Sequence, residues 1–89
     1  MKIIRTLPVL NMKKTGANIR YLRKKAGYSV KDIQSILGFS AGVSIYRWET
    51  GDTMPALDNL IILAHTLGVT VDDILVVDEV IHETKVSKM

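Results

Sequence analysis

The segment from Gly38 to Gly51, GFSAGVSIYRWETG, holds a small set of polar groups suited to recognition by hydrogen bonding. Its single arginine, Arg47, carries five N–H donors in a planar fork that can bind two acceptors at once. Ser44 and Tyr46 add hydroxyl groups nearby, and the preceding residues are small. This combination predicts a surface that approaches a ligand closely and reads it through a few donors.

Residue sets for catalysis or metal binding are not apparent in the sequence. The chain has no cysteine, which excludes a disulfide framework and a thiolate metal site and fits a reducing compartment. His65 and His82 are isolated, and neither pairs with a plausible nucleophile. We therefore expect a protein that is not an enzyme and that uses neither a metal nor a cofactor.

Basic residues are concentrated in the first third of the chain. The remainder has three bases and all nine acids of the sequence. Residues 1–31 contain no acid and nine bases, namely Lys2, Arg5, Lys13, Lys14, Arg20, Arg23, Lys24, Lys25 and Lys31. Such a division favours a polyanionic partner. A solvated basic helix and an anionic membrane surface are the alternatives; the membrane is disfavoured because the basic segment lacks a broad apolar face.

The size and composition predict one small folded domain. The chain has 89 residues, of which 47% are hydrophobic and 24% are charged, a balance typical of chains that fold. The opening MKIIRTLPVLNMKK lacks a signal-peptide pattern. The most apolar stretch, LIILAHTLGV, is too short and too polar to span a bilayer. We expect a cytoplasmic protein.

Apolar residues at helical spacing, separated by glycines, predict about five short helices. The predicted starts and stops are, in chain order, Asn11 and Gly27, Ser29 and Gly38, Ser40 and Gly51, then Pro55 and Gly68, with Val71–Leu75 as a fifth helix. The residues expected to face the core are Ile33, Ile36 and Leu37, then Ile45 and Trp48, then Leu57, Leu60, Ile61, Ala64 and Leu67. The predicted fold class is a compact all-α bundle.

The second and third predicted helices are joined by a tight glycine-containing turn and follow a basic helix. This arrangement describes a helix-turn-helix, in which the second helix of the pair lies in the DNA major groove. Ser44, Tyr46 and Arg47 lie on the side away from Ile45 and Trp48. αα-Hairpins with glycine turns also occur in purely structural bundles. The pattern alone is therefore consistent with either a DNA-binding unit or a structural hairpin.

From about Thr15 to Leu75 the sequence resembles the phage-repressor/Cro (Xre) family of helix-turn-helix DNA-binding proteins. The resemblance rests on NIRYLRKKAGYS, VKDIQSILGF, IYRWETG, PALDNLIILAHTLGV and VDDIL, in the family's order and nearly its spacing. It implies a lambda-repressor-like fold with the helix-turn-helix at about residues 29–50. It also implies sequence-specific binding of operator DNA as a dimer, in order to regulate transcription.

The sequence departs from the family pattern in three places, two on the second helix and one before the third. Val30 stands where the family commonly has a glutamine that binds a phosphate, and Gln34 stands where alanine is common. The segment Gly38–Gly51 is also one residue longer than the usual pattern, around Ser40–Gly42. These departures leave open which residues at the start of the third helix face the bases.

The resemblance and the chemistry of the side chains together assign expected roles. The expected base-reading residues are Gly42, Val43, Ser44, Tyr46 and Arg47, where Arg47 would pair with guanine and Val43 with a thymine methyl or with the core. The expected phosphate contacts are Arg20, Lys24, Ser29, Lys31, Thr50 and Thr53. The matching pair in the family implies a salt bridge between Arg23 and Glu49.

The two ends lie outside the resemblance. We expect an N-terminal extension at residues 1–11, a DNA-binding domain at 12–76 and a C-terminal extension at 77–89. Val76, Val77, Val80 and Ile81 fit either a longer fifth helix or a strand beside the N-terminal segment. If exposed, they would suit self-association, and we expect a homodimer.

The sequence therefore predicts a dimeric DNA-binding transcriptional regulator, most simply a repressor that acts on double-stranded DNA. The alternative is a protein-interaction adaptor, or an antitoxin-like protein that binds a toxin through one end. Val30 and the nearly uncharged start of the third helix favour the alternative, and the clustered bases favour DNA.

Overall fold

The computed structural model describes residues 2–85, and within them the chain forms five helices and two strands. The helices are α1 (Met12–Lys25), α2 (Val30–Leu37), α3 (Val43–Glu49), α4 (Leu57–Leu67) and α5 (Val71–Ile74), and the strands are β1 (Lys2–Leu10) and β2 (Val77–Lys85). The number of helices and their order agree with the sequence prediction. Met1 and residues 86–89, which belong to the two predicted extensions, lie outside the described residues.

Local side-chain caps fix where α1, α2 and α5 begin. The Asn11 side chain accepts a 2.8 Å hydrogen bond from the Lys14 amide. At α2, Ser29 and Asp32 form a capping box, in which each side chain bonds the other residue's amide. The bond from the Ser29 backbone N–H holds the pKa of Asp32 below its ordinary value. Thr70 and Asp73 repeat the arrangement at α5.

A single apolar core lies between the helices. All five helices contribute to it. Its members are Ile19, Val30, Ile33, Ile45, Trp48, Leu60, Leu63, Ala64, Leu67 and Ile74. Ile45 and Trp48 are buried as predicted, so the inner side of α3 is fixed by apolar contacts. Phe39, in the turn before α3, packs edge-on against Trp48 with ring centroids 5.8 Å apart.

Several expected core residues and helix starts were wrong. Ile36, Leu57 and Ile61 are exposed, and Val30 and Leu63 take core positions instead. Helix α3 begins after Gly42 rather than after Ser40. Helix α4 begins after Ala56, whose backbone is still extended, so Pro55 precedes the helix instead of opening it. Neither Gly42 nor Ala56 makes a side-chain cap hydrogen bond, so no local signal in the sequence marked these two starts.

The all-α prediction was wrong about the two ends. β1 and β2 pair as an antiparallel two-stranded sheet, with Leu10 opposite Val77 and Lys2 opposite Lys85. The sheet is joined to the helices where the Asn11 amide donates to the Val76 carbonyl at 2.8 Å and the Val76 amide donates to Thr15 Oγ1 at 2.9 Å. Of the two alternatives for this segment, the strand is the one observed.

Helices α1 and α3 approach each other closely through a glycine. A Cβ added at Gly16 would lie 2.2 Å from the Trp48 carbonyl oxygen and 2.8 Å from the Gly51 amide nitrogen. Both of those atoms belong to the backbone at the end of α3. The absence of a side chain at Gly16 therefore sets how near α1 lies to α3.

Candidate nucleic-acid interface

The α2–turn–α3 unit presents one side of α3 to solvent. Gly38 ends α2 with a φ of 72°, in the left-handed region that favours glycine, and the Phe39 amide closes the turn on the Gln34 carbonyl at 2.9 Å. With Ile45 and Trp48 anchored in the core, the opposite side of α3 is left free of intramolecular packing. The short turn and the buried inner face together position the exposed side chains of α3.

Four of the five expected base-reading residues lie on this open side. Val43 is 64% exposed and Tyr46 is 59% exposed, which excludes Val43 from the core. Ser44 and Arg47 are also exposed. Gly42 is half-buried at the N-cap of α3. The exposed set offers two hydroxyl groups, a guanidinium group and an apolar side chain on one short helix.

The unusual α2 residues meet at that glycine. A Cβ added at Gly42 would lie 3.1 Å from Val30 Cγ1 and 3.5 Å from Gln34 Oε1. Val30 is mostly buried and packs α2 against the start of α3. The three departures from the family pattern thus form a single contact, in which the extra segment brings Gly42 onto Val30 and Gln34.

An open groove runs beside α3 and collects the expected phosphate contacts. Its lining comes from α1, α2 and α3: Arg20, Arg23, Ser29, Val30, Lys31, Tyr46, Glu49 and Thr50. Four of the six expected phosphate residues therefore share a surface with Tyr46. Lys24 and Thr53 are not among the lining residues; Lys24 is exposed on α1 and Thr53 is half-buried in the loop after α3.

Arg23 and Glu49 form a buried, bidentate ion pair between α1 and α3. Arg23 Nε donates to Glu49 Oε2 at 2.6 Å, and Nη2 donates to Oε1 at 3.0 Å. The third guanidinium nitrogen, Nη1, donates to the Tyr28 carbonyl at 2.9 Å. The two side chains are only 9% and 5% exposed. The hydrogen bond to Glu49 raises the pKa of Arg23, although burial acts in the opposite direction. All three guanidinium nitrogens of Arg23 are used inside the protein, so this residue stabilises the packing of α1 against α3.

Sequence reasoning missed one residue of this surface, Asp52. Its Oδ2 atom accepts a hydrogen bond from Arg47 Nε at 2.7 Å. The only signal in the sequence was a carboxylate five positions after an arginine, across the glycine at which α3 ends. That spacing is uninformative within a helix, where partners lie three or four residues apart.

A family model described as helix-turn-helix matches residues 19–74, more than half of the chain. The chain belongs to this helix-turn-helix family, of the Xre/Cro-like type. No curated protein sequence matches the chain significantly.

Solved structures of regulators share the fold. The DNA-binding domain of BldD from S. venezulae is 28% identical with a TM-score of 0.60, and the match covers 72% of this chain and 94% of that one. The restriction-modification controller protein C.AhdI from Aeromonas hydrophila is 23% identical with a TM-score of 0.64, covering 72% and 96%. The clp gene regulator ClgR from C. glutamicum is 21% identical with a TM-score of 0.62, covering 71% and 80%.

The helix-turn-helix protein thus has the fold of DNA-binding transcriptional regulators, and its family and these neighbours are regulators rather than enzymes. Among residues 5–81, whose side chains the structure describes, no group of three or more histidine, aspartate or glutamate residues is placed to hold a metal ion. No helix in the same range is long and apolar enough to cross a membrane.

Proposed function

We propose that the protein is a sequence-specific transcriptional repressor that inserts α3 into the major groove of its operator as a homodimer. The observation that carries the proposal is the continuity between the open side of α3 and the groove lined by Arg20, Lys31 and Thr50. A major groove about 12 Å wide admits an α-helix, and phosphates flank that groove on both sides. The surface therefore offers base-reading donors at its centre and cationic groups at its edge.

The proposed division of labour follows from side-chain chemistry. Arg20, Lys24, Ser29, Lys31, Thr50 and Thr53 are the proposed phosphate contacts. These contacts set affinity and register without reading sequence. Arg47, Ser44 and Tyr46 are the proposed polar base readers, and the exposed Val43 suits the methyl group of thymine. Gly42 can contribute only its backbone to base reading, since the absence of its side chain makes room for Val30 and Gln34 of α2.

Replacing Arg47 with alanine is expected to weaken operator binding by about 1–3 kcal/mol, the value of one bidentate arginine–guanine pair. Binding to random DNA should change much less, because that binding is dominated by phosphates. The operator is first selected from a random-sequence pool with the wild-type protein. Fluorescence anisotropy titrations then compare the two DNAs at several salt concentrations.

Arg20→Ala is the matched control, because it removes the same charge from the proposed phosphate edge. It should weaken binding to both DNAs equally and reduce the slope of log K against log salt by about 0.9. Equal losses on operator and random DNA for Arg47→Ala would remove Arg47 from the base-reading set.

The proposed dimer contact is the two-stranded sheet. An isolated pair of strands is only marginally stable in water and gains from a further partner. Val9, Leu10, Val77, Val80 and Ile81 are exposed on this sheet. Leu10, Val77 and Ile81 share one face of the sheet, and a second copy that covers this face would bring two α3 helices into one dimer, as an operator with two half-sites requires.

Ile81→Lys is expected to shift the protein from dimer to monomer in sedimentation velocity runs at high concentration. Ile81 is the most exposed large apolar residue among strand residues 5–10 and 77–81, and a charge there would be costly to bury. Leu57→Lys, on the separate exposed face of α4, is the control and should stay dimeric. A monomeric wild type would refute the dimer, and the reverse result for the two variants would move the contact to α4.

The alternative function is a protein-interaction adaptor or an antitoxin-like protein. The exposed apolar residues Leu57, Ile61 and Ile62 of α4 are the observation that favours it. A wild-type protein that selects no sequence from the random pool and shows no salt-dependent DNA binding would support this alternative over the repressor.

A further inference from the structure

The base-reading arginine is tethered by a carboxylate at one of its three nitrogens. Arg47 Nε donates to Asp52 Oδ2 at 2.7 Å. Within the described residues, Nη1 and Nη2 of Arg47 make no hydrogen bond. Nη1 and Nη2, at the outer end of the guanidinium group, are thus free to donate hydrogen bonds, while Nε is held by Asp52. Those two donors are the pair that a guanine O6/N7 edge can accept.

The loop after α3 fixes the carboxylate in this place through the backbone. The Arg47 carbonyl accepts hydrogen bonds from the Asp52 amide at 2.9 Å and from the Thr53 amide at 3.2 Å. Gly51 makes the reversal with a φ of 79°, and a Cβ there would lie 2.6 Å from Lys13 Cα. Residue 52 is therefore bonded to residue 47 at both the main chain and the side chain.

The same pair contributes little to the stability of the fold. The Arg47 side chain is 55% exposed and the Asp52 side chain is 59% exposed. Exposed ion pairs of this kind are weak because water screens them and both side chains lose rotamer freedom. The consequence of the contact lies in the orientation of Arg47, since a donor that is already oriented loses less freedom when it binds.

The charge of Asp52 also acts on DNA directly. The residue stands between Thr50 and Thr53, two of the proposed phosphate contacts. A carboxylate at the phosphate edge repels any duplex, and a correctly placed guanine offsets that repulsion only by engaging Arg47. Discrimination is a difference between affinities, so a group that weakens the wrong complexes sharpens it.

We propose that Asp52 is a specificity-determining positioning residue, which holds the Arg47 guanidinium for guanine and weakens binding to sites that lack this guanine. The proposal rests on the DNA-binding function proposed above. It assigns to the loop after α3 a part in sequence selection, beyond that of α3 itself.

The test uses the full chain and the operator selected by the wild type, together with operator versions in which each guanine is replaced in turn. Fluorescence anisotropy gives the affinity ratio between the operator and each version. Arg47→Ala first identifies the guanine whose replacement no longer matters. Asp52→Ala should then reduce discrimination at that same guanine by about fivefold or more, and it should bind random DNA more tightly than the wild type does.

Three further variants separate orientation from charge. Asp52→Asn keeps an acceptor for Arg47 Nε, so it should retain more discrimination than Asp52→Ala. The double variant Arg47→Ala/Asp52→Ala should discriminate no worse than Arg47→Ala alone, because both residues act on one contact. Asp58→Ala removes an exposed acid that does not contact Arg47; it should raise general affinity at most and leave the guanine ratio unchanged.

Unchanged discrimination in Asp52→Ala, with discrimination lost in Arg47→Ala, would overturn the proposal and leave Asp52 an ordinary surface carboxylate. Improved discrimination would overturn it too, since Asp52 would then compete with the base for Arg47. A wild type that selects no sequence is a different outcome, because it refutes the proposed DNA-binding function itself.

Discussion

Replacing Arg23 with methionine is expected to lower the free energy of unfolding by about 3–5 kcal/mol, because it leaves the buried Glu49 carboxylate without its partner. The substitution removes both hydrogen bonds to Glu49 and the one to the Tyr28 carbonyl. Small domains have only about 5–15 kcal/mol of stability in total. Urea titrations followed by circular dichroism should therefore show a much lower midpoint, or an unfolded chain.

A double-mutant cycle decides whether the ion pair is the cause. Glu49→Gln, a milder change, tests the same pair if Arg23→Met does not fold. The double variant Arg23→Met/Glu49→Leu should regain most of the loss, because an apolar pair of similar size has no desolvated charge. Additive effects of the single changes would mean that the two residues are not energetically coupled.

Gly16→Ala is expected to destabilise the protein by about 2 kcal/mol, although alanine is the better helix former by about 1 kcal/mol. The new Cβ would lie 2.2 Å from the Trp48 carbonyl oxygen, against backbone that no change of rotamer can move aside. Overpacking of this kind costs about 1–3 kcal/mol, occasionally more. The sign of the change in unfolding free energy is the measurement that matters.

Ala17→Gly is the matched control for Gly16→Ala, since it is the neighbouring position of α1 and its side chain is exposed. It should cost about 0.5–1 kcal/mol through helix propensity alone. A stabilised Gly16→Ala protein would show that propensity outweighs the contact, and that α1 and α3 are not held at the distance described.

The parts of the fold that depend on near neighbours in sequence were predictable. Asn11, Ser29 and Asp32 cap their helices through amides three residues away, so the sequence alone contains both partners. The glycines at the helix ends were readable for the same reason, since a left-handed backbone conformation is a property of one residue. Ile45 and Trp48 followed from helical spacing.

The width of each buried face was not predictable. Helical periodicity gives the direction of a core-facing stripe, but the neighbouring elements decide how far the stripe extends. Ile36, Leu57 and Ile61 lie at correct spacings and are exposed, because no helix within the described residues covers them. Val30 shows the converse. The family pattern has a polar residue there, whereas Val30 packs beside Gly42 and is buried.

In the candidate site, too, the features set by sequence spacing were predictable and those set by packing were not. The exposed side of α3 could be read from spacing, because Ile45 and Trp48 determine which side remains outside. The joining of Arg20, Ser29, Lys31 and Thr50 into one groove required the packing of three helices. The Arg47–Asp52 contact depends on the reversal of the chain at Gly51, which a helical pattern does not describe.

The pairing of the two ends has a consequence for the order in which the molecule forms. Thr15 and Val76 are 61 residues apart in sequence, and Asn11 bonds Asp78 across 67 residues. Bringing such distant segments together costs loop-closure entropy, which an unfolded chain has no contacts to offset. Once the helices have assembled, Asn11 and Val76 already lie side by side, and strand pairing can extend outward from that point. We therefore expect the sheet to form after the helices, because its pairing joins segments far apart in sequence.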